Sequence, residues 1–183
     1  MRQNTSATDK VLATARALSH VREGATAFGE FTWWATRNGV IVPGSYSRFK
    51  NKIVDEGLDY ILTSGLVTPS LYLGLTGATP VAAAGDTMAS HAGWAEEQGY
   101  DEATRQAWTE AGASGGVITN SASPAQFTID NTDPTVGGLF LTTDNTKGGS
   151  GGTLISIAAD SDKNRYDGDV INAVWQLTFT SST

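Results

Sequence analysis

The chain has 183 residues, 21 of them glycine, no cysteine and a formal net charge of −7. That length suits one domain, or one domain with an arm, and the missing cysteines exclude disulfides and thiolate metal sites as the source of stability. No run approaches the roughly 18 apolar residues of a membrane span, and the acidity argues against direct nucleic-acid binding, because neutralising phosphates needs a basic face.

The charge is unevenly spread. Residues 1–52 hold eight Lys/Arg (Arg2, Lys10, Arg16, Arg22, Arg37, Arg48, Lys50, Lys52) against three acids (Asp9, Glu23, Glu30), a balance of +5. Residues 53–183 hold four Lys/Arg against sixteen acids, a balance of −12. Such asymmetry points to a basic N-terminal arm that docks on something acidic, ahead of an acidic body. The opening MRQNTSATDK lacks the hydrophobic stretch of an export signal, so synthesis without Sec-type export is expected.

In chain order, residues 8–21 (TDKVLATARALSHV) place Val11, Leu12, Ala15, Leu18 and Val21 at helical spacing, with Thr8 or Asp9 as N-cap. A helix this short is marginal in water and needs its own body or a partner to order against. The predicted arm is residues 1–27 and the body 28–183. In the body AFGEFTWWATRNGVIV leads to Asn38-Gly39, a strong two-residue hairpin signal, which predicts a hairpin over 28–42. Phe31 and Trp33 fall on one strand face, Phe28 and Trp34 on the other, so both faces are expected to be covered. A second helix is predicted over 51–64, with Ile53, Val54, Leu58, Ile61 and Leu62 as its stripe and Gly65 as its stop.

After Pro69, SLYLGLTG reads as a buried strand, followed by a long loop with a helical turn near Asp86. Short apolar or alternating runs at 106–111, 116–119, 125–129, 137–143, 153–158 and 170–180 are separated by Gly, Asn, Asp and Pro clusters. Strands at intervals of roughly ten residues with turn chemistry between them predict a mainly β fold. The expected architecture is an antiparallel β-sandwich, jelly-roll or immunoglobulin-like, with one or two short helices and an extended N-terminal arm.

Candidate chemistry is sparse. In DSDKNRYDGD, Asp160, Asp162 and Asn164 fit the first positions of a calcium loop, but Arg165 stands where glycine must bend the chain and Ile171 where a bidentate Glu belongs, so a solvated turn is expected. KGGSGGT (147–153) has its lysine before the glycines, unlike a phosphate-binding loop, and reads as a flexible hairpin loop. His20 and His91 are the two histidines, and neither lies beside a nucleophile motif. No cofactor is implied, and a non-enzyme is expected.

HAGWAEEQGYDEATRQAW (91–108) concentrates acids, Arg105 and aromatic rings. Glu96 and Glu97 point apart in an extended segment and so do not face one substrate. The expected role is scaffold: Trp94, Tyr100 and Trp108 bury their rings with a polar tip bonded, and Arg105 pairs with Asp101 or Glu102.

Seven blocks in order, FKNKIVDEGLDYIL (49–62), LYLGLTG (71–77), AAGDTMASHAGWAE (83–96), YDEATRQAWTEA (100–111), ITNSASPAQFTI (118–129), GGLFLT (137–142) and GGTLIS (151–156), resemble a family of small structural proteins encoded by tailed bacteriophages. The likeness covers roughly residues 49–180, and a hairpin like 28–42 commonly precedes these blocks in such proteins. It implies a virion location and a role as capsid decoration or cement protein, with the major capsid protein or other virion proteins as partners and a dimer or trimer on the particle. Arg2, Lys10, Arg16, Arg22, Phe31, Trp33, Trp34 and Arg37 are the candidate partner-binding residues. Two alternatives stand beside it: a tail, neck or connector component, and a glycan-binding module using exposed Trp94 and Trp108.

Overall fold

The computed structural model of the chain describes residues 25–64 and 70–181. The helix predicted over 8–21, the cations Arg2, Lys10, Arg16 and Arg22, and the stop at Gly65 lie outside the described residues. The elements are β1 (Ala25–Arg37), β2 (Val40–Ile41), β3 (Ser47–Lys50), β4 (Lys52–Ile53), α1 (Asp55–Ser64), β5 (Leu71–Thr76), β6 (Glu96–Glu97), β7 (Gln106–Trp108), β8 (Val117–Thr119), β9 (Ala125–Thr128), β10 (Thr135–Thr142), β11 (Leu154–Asn164) and β12 (Val170–Ser181).

The strands form two antiparallel sheets. In the first, β2, β1, β12 and β8 are neighbours, with β3 also on β1 and β9 also on β12. In the second the order is β4, β11, β10, β5, β6, with β7 also on β5. Only Asn51 separates β3 from β4, so the chain passes from one sheet to the other there and joins them along that edge. Asn38 and Gly39 both take positive φ, 50° and 76°, as a two-residue hairpin turn that matches strand twist requires.

The sheets share one core. Phe31, Trp33 and Ala35 of β1 are wholly buried, opposite Trp175, Ala173 and Ile171 of β12. Leu71, Leu73 and Leu75 of β5 with Leu139 and Leu141 of β10 supply the other side. Each such side chain contributes about 1.5–3 kcal/mol by leaving water. The ladder of β12 has a gap between β8 and β9, which Asn120 fills with its side chain: Nδ2 donates to Ala173 O at 3.1 Å and Oδ1 accepts from Trp175 N at 2.8 Å.

A second, smaller core lies on the outer face of the second sheet. There Phe140, Leu154 and Ile157 pack with Val54 and with Met88 and Trp94 of the 77–95 loop. Gly74 makes room for this layer, since a Cβ at that position would sit 2.2 Å from the Phe140 ring. The loop therefore carries its own hydrophobic anchor, as a compact surface loop does.

Several local expectations change. Both faces of β1 were expected to be covered, but the outer one is only partly so: Phe28 is exposed and Trp34 half-buried. Ile53, predicted in the helix, pairs with Ser156 in a sheet ladder, so the helix begins at Asp55. Leu58, placed in the buried stripe, faces solvent. Gly57 serves the contact, because the Ile155 carbonyl would lie 2.2 Å from any Cβ there. Around Asp86 there is no helical turn; its Oδ2 accepts from Ala83 N and Trp94 Nε1, which bends the loop without one. Asp160 to Asn164 belong to β11, and the turn occupies the residues after them.

Asp160 ties β11 to the core by accepting a 2.8 Å bond from Trp33 Nε1 and a 3.0 Å bond from Lys163 Nζ. Burial works to raise its pKa, but donors from Ser47, Lys163, the Ser161 amide and Trp33 together outweigh that and hold the carboxyl below its ordinary range. A depressed folded pKa contributes stability above the unfolded value of about 3.9 and loses it as pH falls through the folded value. Urea denaturation between about pH 6 and pH 2 is therefore expected to show the native chain losing more stability on acidification than Asp160→Asn. Parallel curves would disprove this linkage.

Candidate functional site

The 91–108 segment is built around Arg105, whose side chain is fully buried. β6 and β7 both pair with β5, Glu96 opposite Thr76 and Gln106 opposite Leu73, so the intervening residues loop out and Arg105 reaches back to Glu96. Nε and Nη2 meet the two carboxylate oxygens at 2.9 and 2.7 Å. Nη1 donates to Asp144 O at 3.0 Å and Nη2 to Gly149 O at 2.6 Å, while the guanidinium lies 5.2 Å from the Phe140 ring centre. The expected partners Asp101 and Glu102 are not used. Asp101 is exposed, and Glu102 holds Thr128 N and Oγ1 on β9. Sequence spacing suggested a local pair, whereas strand register made a distant one.

The same group pins the glycine loop. Gly148 N donates to Glu96 Oε2 at 2.9 Å, and Lys147 donates to Tyr100 O at 2.8 Å with its ammonium 4.1 Å from that ring's centre. The flexible loop expected at 147–153 is thus tied at its first three residues to the scaffold. Burial first, then the nearby Glu96 carboxylate, raises the Tyr100 hydroxyl above the ordinary tyrosine range. Its ring stands edge-on to Phe127 at 5.1 Å, and its buried hydroxyl has no hydrogen-bond partner among the described residues, so of the three aromatic tips only those of Trp94 and Trp108 are bonded. Glu97, adjacent to Glu96, turns the other way to accept from the amides of Gln98 and Gly99. These groups are engaged in holding the loop, and Glu96 also lines, with His91, Gly148, Gly149 and Ser150, a pocket of about 220 Å³.

Trp94 and Trp108 are 8% and 3% exposed, so the stacking platform expected for a glycan reader is not at these rings. His91 covers one face of Trp94, with ring centres 3.8 Å apart. Phe31 and Trp33, proposed from sequence as partner anchors, are equally closed off in the core. Trp34 and Arg37 remain accessible.

Two groups of accessible residues lie on the first sheet and its hairpin. At the hairpin end, Val40 and Ile41 are 70% and 59% exposed, next to Arg37. Arg37 is held by Asp169 at 2.7 and 3.0 Å and lies 5.3 Å from the ring centre of exposed Tyr166. The Asp169 hydrogen bond keeps this guanidinium firmly protonated. Behind it, Arg165 is buried 5.2 Å from the Trp33 ring centre, and burial lowers its pKa against the pull of Asp169 and Asp160. The second group lines a groove on the outer face of the first sheet, floored by Val174 and flanked by Trp34 and Tyr46.

No family model, curated protein or solved structure matches the chain. The functional reading therefore rests on the residues and their geometry. Among them, Val40, Ile41, Tyr46 and Tyr166 were missed from sequence. The run VIVP directly after the Asn-Gly turn was the available signal, being too apolar for an ordinary solvated loop.

Proposed function

We propose that this chain is a bacteriophage virion structural protein, most specifically a capsid decoration or cement protein that binds the major capsid protein and stabilises the shell. The two-sheet body is read as a β-sandwich of the jelly-roll or immunoglobulin-like kind, docked by its hairpin end and tied down by the basic arm of residues 1–27. The observation that carries the reading is the exposure of Val40 and Ile41 at the hairpin end, with Val40 opposite Arg37 and that guanidinium beside exposed Tyr166, on a body of net negative charge. Exposed apolar residues beside a fixed cation mark a protein-binding surface, and aromatic and arginine side chains are over-represented where such surfaces gain most of their energy. Repetition on a symmetric shell supplies avidity, so each contact can be weak. Neither catalysis nor a cofactor is part of the proposal, and the copies on the virion are read as dimers or trimers.

The test combines copy number with one double variant. Densitometry of purified virions is expected to give on the order of hundreds of copies, as shell symmetry demands, whereas about a dozen would assign the chain to a connector. Val40→Asp with Ile41→Asp changes two solvent-facing side chains and is expected to leave stability within about 1 kcal/mol while weakening binding to emptied capsids at least about tenfold. Unchanged binding would place the contact elsewhere on the body or wholly in the arm.

A further inference from the structure

We infer that the outer face of the β1–β12 sheet carries a saccharide-binding groove, with Trp34 and Tyr46 as its stacking surfaces and a pyranose-containing polysaccharide as its ligand class. The groove encloses about 270 Å³. Its floor is Val174, opposite Thr32 in the ladder, and its walls are the half-buried Trp34 and the 63% exposed Tyr46. The rim is polar: Glu30 and Arg48 bond to each other, and Gln176 stands opposite Glu30 on β12.

The chemistry of a sugar ring matches this lining. A pyranose presents an apolar C–H face, whose slightly positive hydrogens suit the negative face of an aromatic ring, and an edge of paired hydroxyls. Carboxylate, guanidinium and primary amide groups are planar and offer two hydrogen-bonding positions each, as vicinal hydroxyls require. Small-ligand sites combine such an aromatic lining with a few placed polar groups.

Competing ligand classes fit less well. The groove's carboxylate and guanidinium neutralise each other, so it offers no unpaired cation to a phosphate, and the chain is acidic overall. A purely apolar helix would bury the rim's charges without replacing their hydrogen bonds. The second sheet's outer face is covered by the chain's own 77–95 loop, while this one leaves Tyr46 mostly in solvent. The partly exposed Arg48–Glu30 pair adds little to stability and keeps both groups at the groove's rim.

The groove's lining includes no residue of the hairpin-end patch, and the inference does not depend on the capsid reading. The full chain should be applied to an array of bacterial surface polysaccharides and neutral glucans, and each hit titrated by tryptophan fluorescence. Binding is expected to at least one saccharide, to weaken at least about tenfold in Tyr46→Ala and in Trp34→Ala, and to persist in Tyr166→Ala and in Val40→Asp/Ile41→Asp. Circular dichroism of Tyr46→Ala should match the native chain. An array without hits, or hits indifferent to Tyr46→Ala, would overturn the inference. So would an array without hits accompanied by a Tyr46→Ala change in sedimentation or in protease sensitivity of residues 1–24, which would assign the face to a second copy or to the chain's own N-terminal segment. Because the hairpin variant keeps saccharide binding, failure of the capsid proposal and failure of this one give different results.

Discussion

Arg105→Met is expected to destabilise the protein by about 3–5 kcal/mol, the cost of leaving a buried carboxylate without its partner. Glu96 keeps only the Gly148 amide once the guanidinium is gone, and the carbonyls of Asp144 and Gly149 lose their donor as well. Methionine fills much of the volume beside Phe140, so the loss reports charge and hydrogen bonding rather than a void. Arg105→Lys is expected to recover little, because a single ammonium cannot reproduce a two-pronged contact to Glu96 while also reaching two carbonyls. Pairing Arg105→Met with Glu96→Leu removes the stranded charge and is expected to return a large part of the loss, leaving a cost from the unpaired backbone groups. Urea midpoints for the four species in a double-mutant cycle measure this. If the double variant is no more stable than Arg105→Met alone, the buried pair is not what holds the loop.

Trp33→Ala is expected to cost about 3–5 kcal/mol, whereas its neighbour Trp34→Ala costs about 1 kcal/mol or less. The two side chains leave one strand in opposite directions. Trp33 is wholly buried, stacks edge-on against Phe49 at 6.0 Å, and donates to Asp160, so its removal opens a cavity and takes one of several donors from a half-buried carboxylate. Trp34 lies on the outer face over the Thr32 and Val174 pair, where water fills the space it vacates. Thermal unfolding of the two single variants checks the split; at this size each kcal/mol moves the midpoint by roughly 2–4 °C. Equal shifts would mean that the outer face of β1 is covered after all.

The same two tryptophans show what reading the chain could achieve. Alternation alone placed Trp33 and Phe31 on one face and Trp34 and Phe28 on the other, because side-chain direction in a strand has a period of two. It could not say which face was the core, since that depends on what the opposite sheet brings. The Asn-Gly turn, the buried strand at 71–76 and the long last strand were similarly legible, each being a local pattern with a local cause. The helix boundary was not. Ile53 satisfies helical spacing equally well, and only its ladder with β11 removes it from the helix.

For the candidate sites the division is sharper. Composition, charge and turn chemistry by themselves determined a mainly β chain with an acidic body, a hairpin at 38–39 and an aromatic-pinned loop over 91–108. Tertiary structure alone decided that Arg105 answers to Glu96 and Asp144, that Trp94 and Trp108 are closed to solvent, and that Trp34 shares an open groove with Tyr46. The reason is physical. A strand's pleat and a turn's dihedrals are fixed by neighbouring residues, but burial and ion pairing depend on which distant strands lie alongside, and in this chain partners such as Trp33 and Asp160 are 127 residues apart.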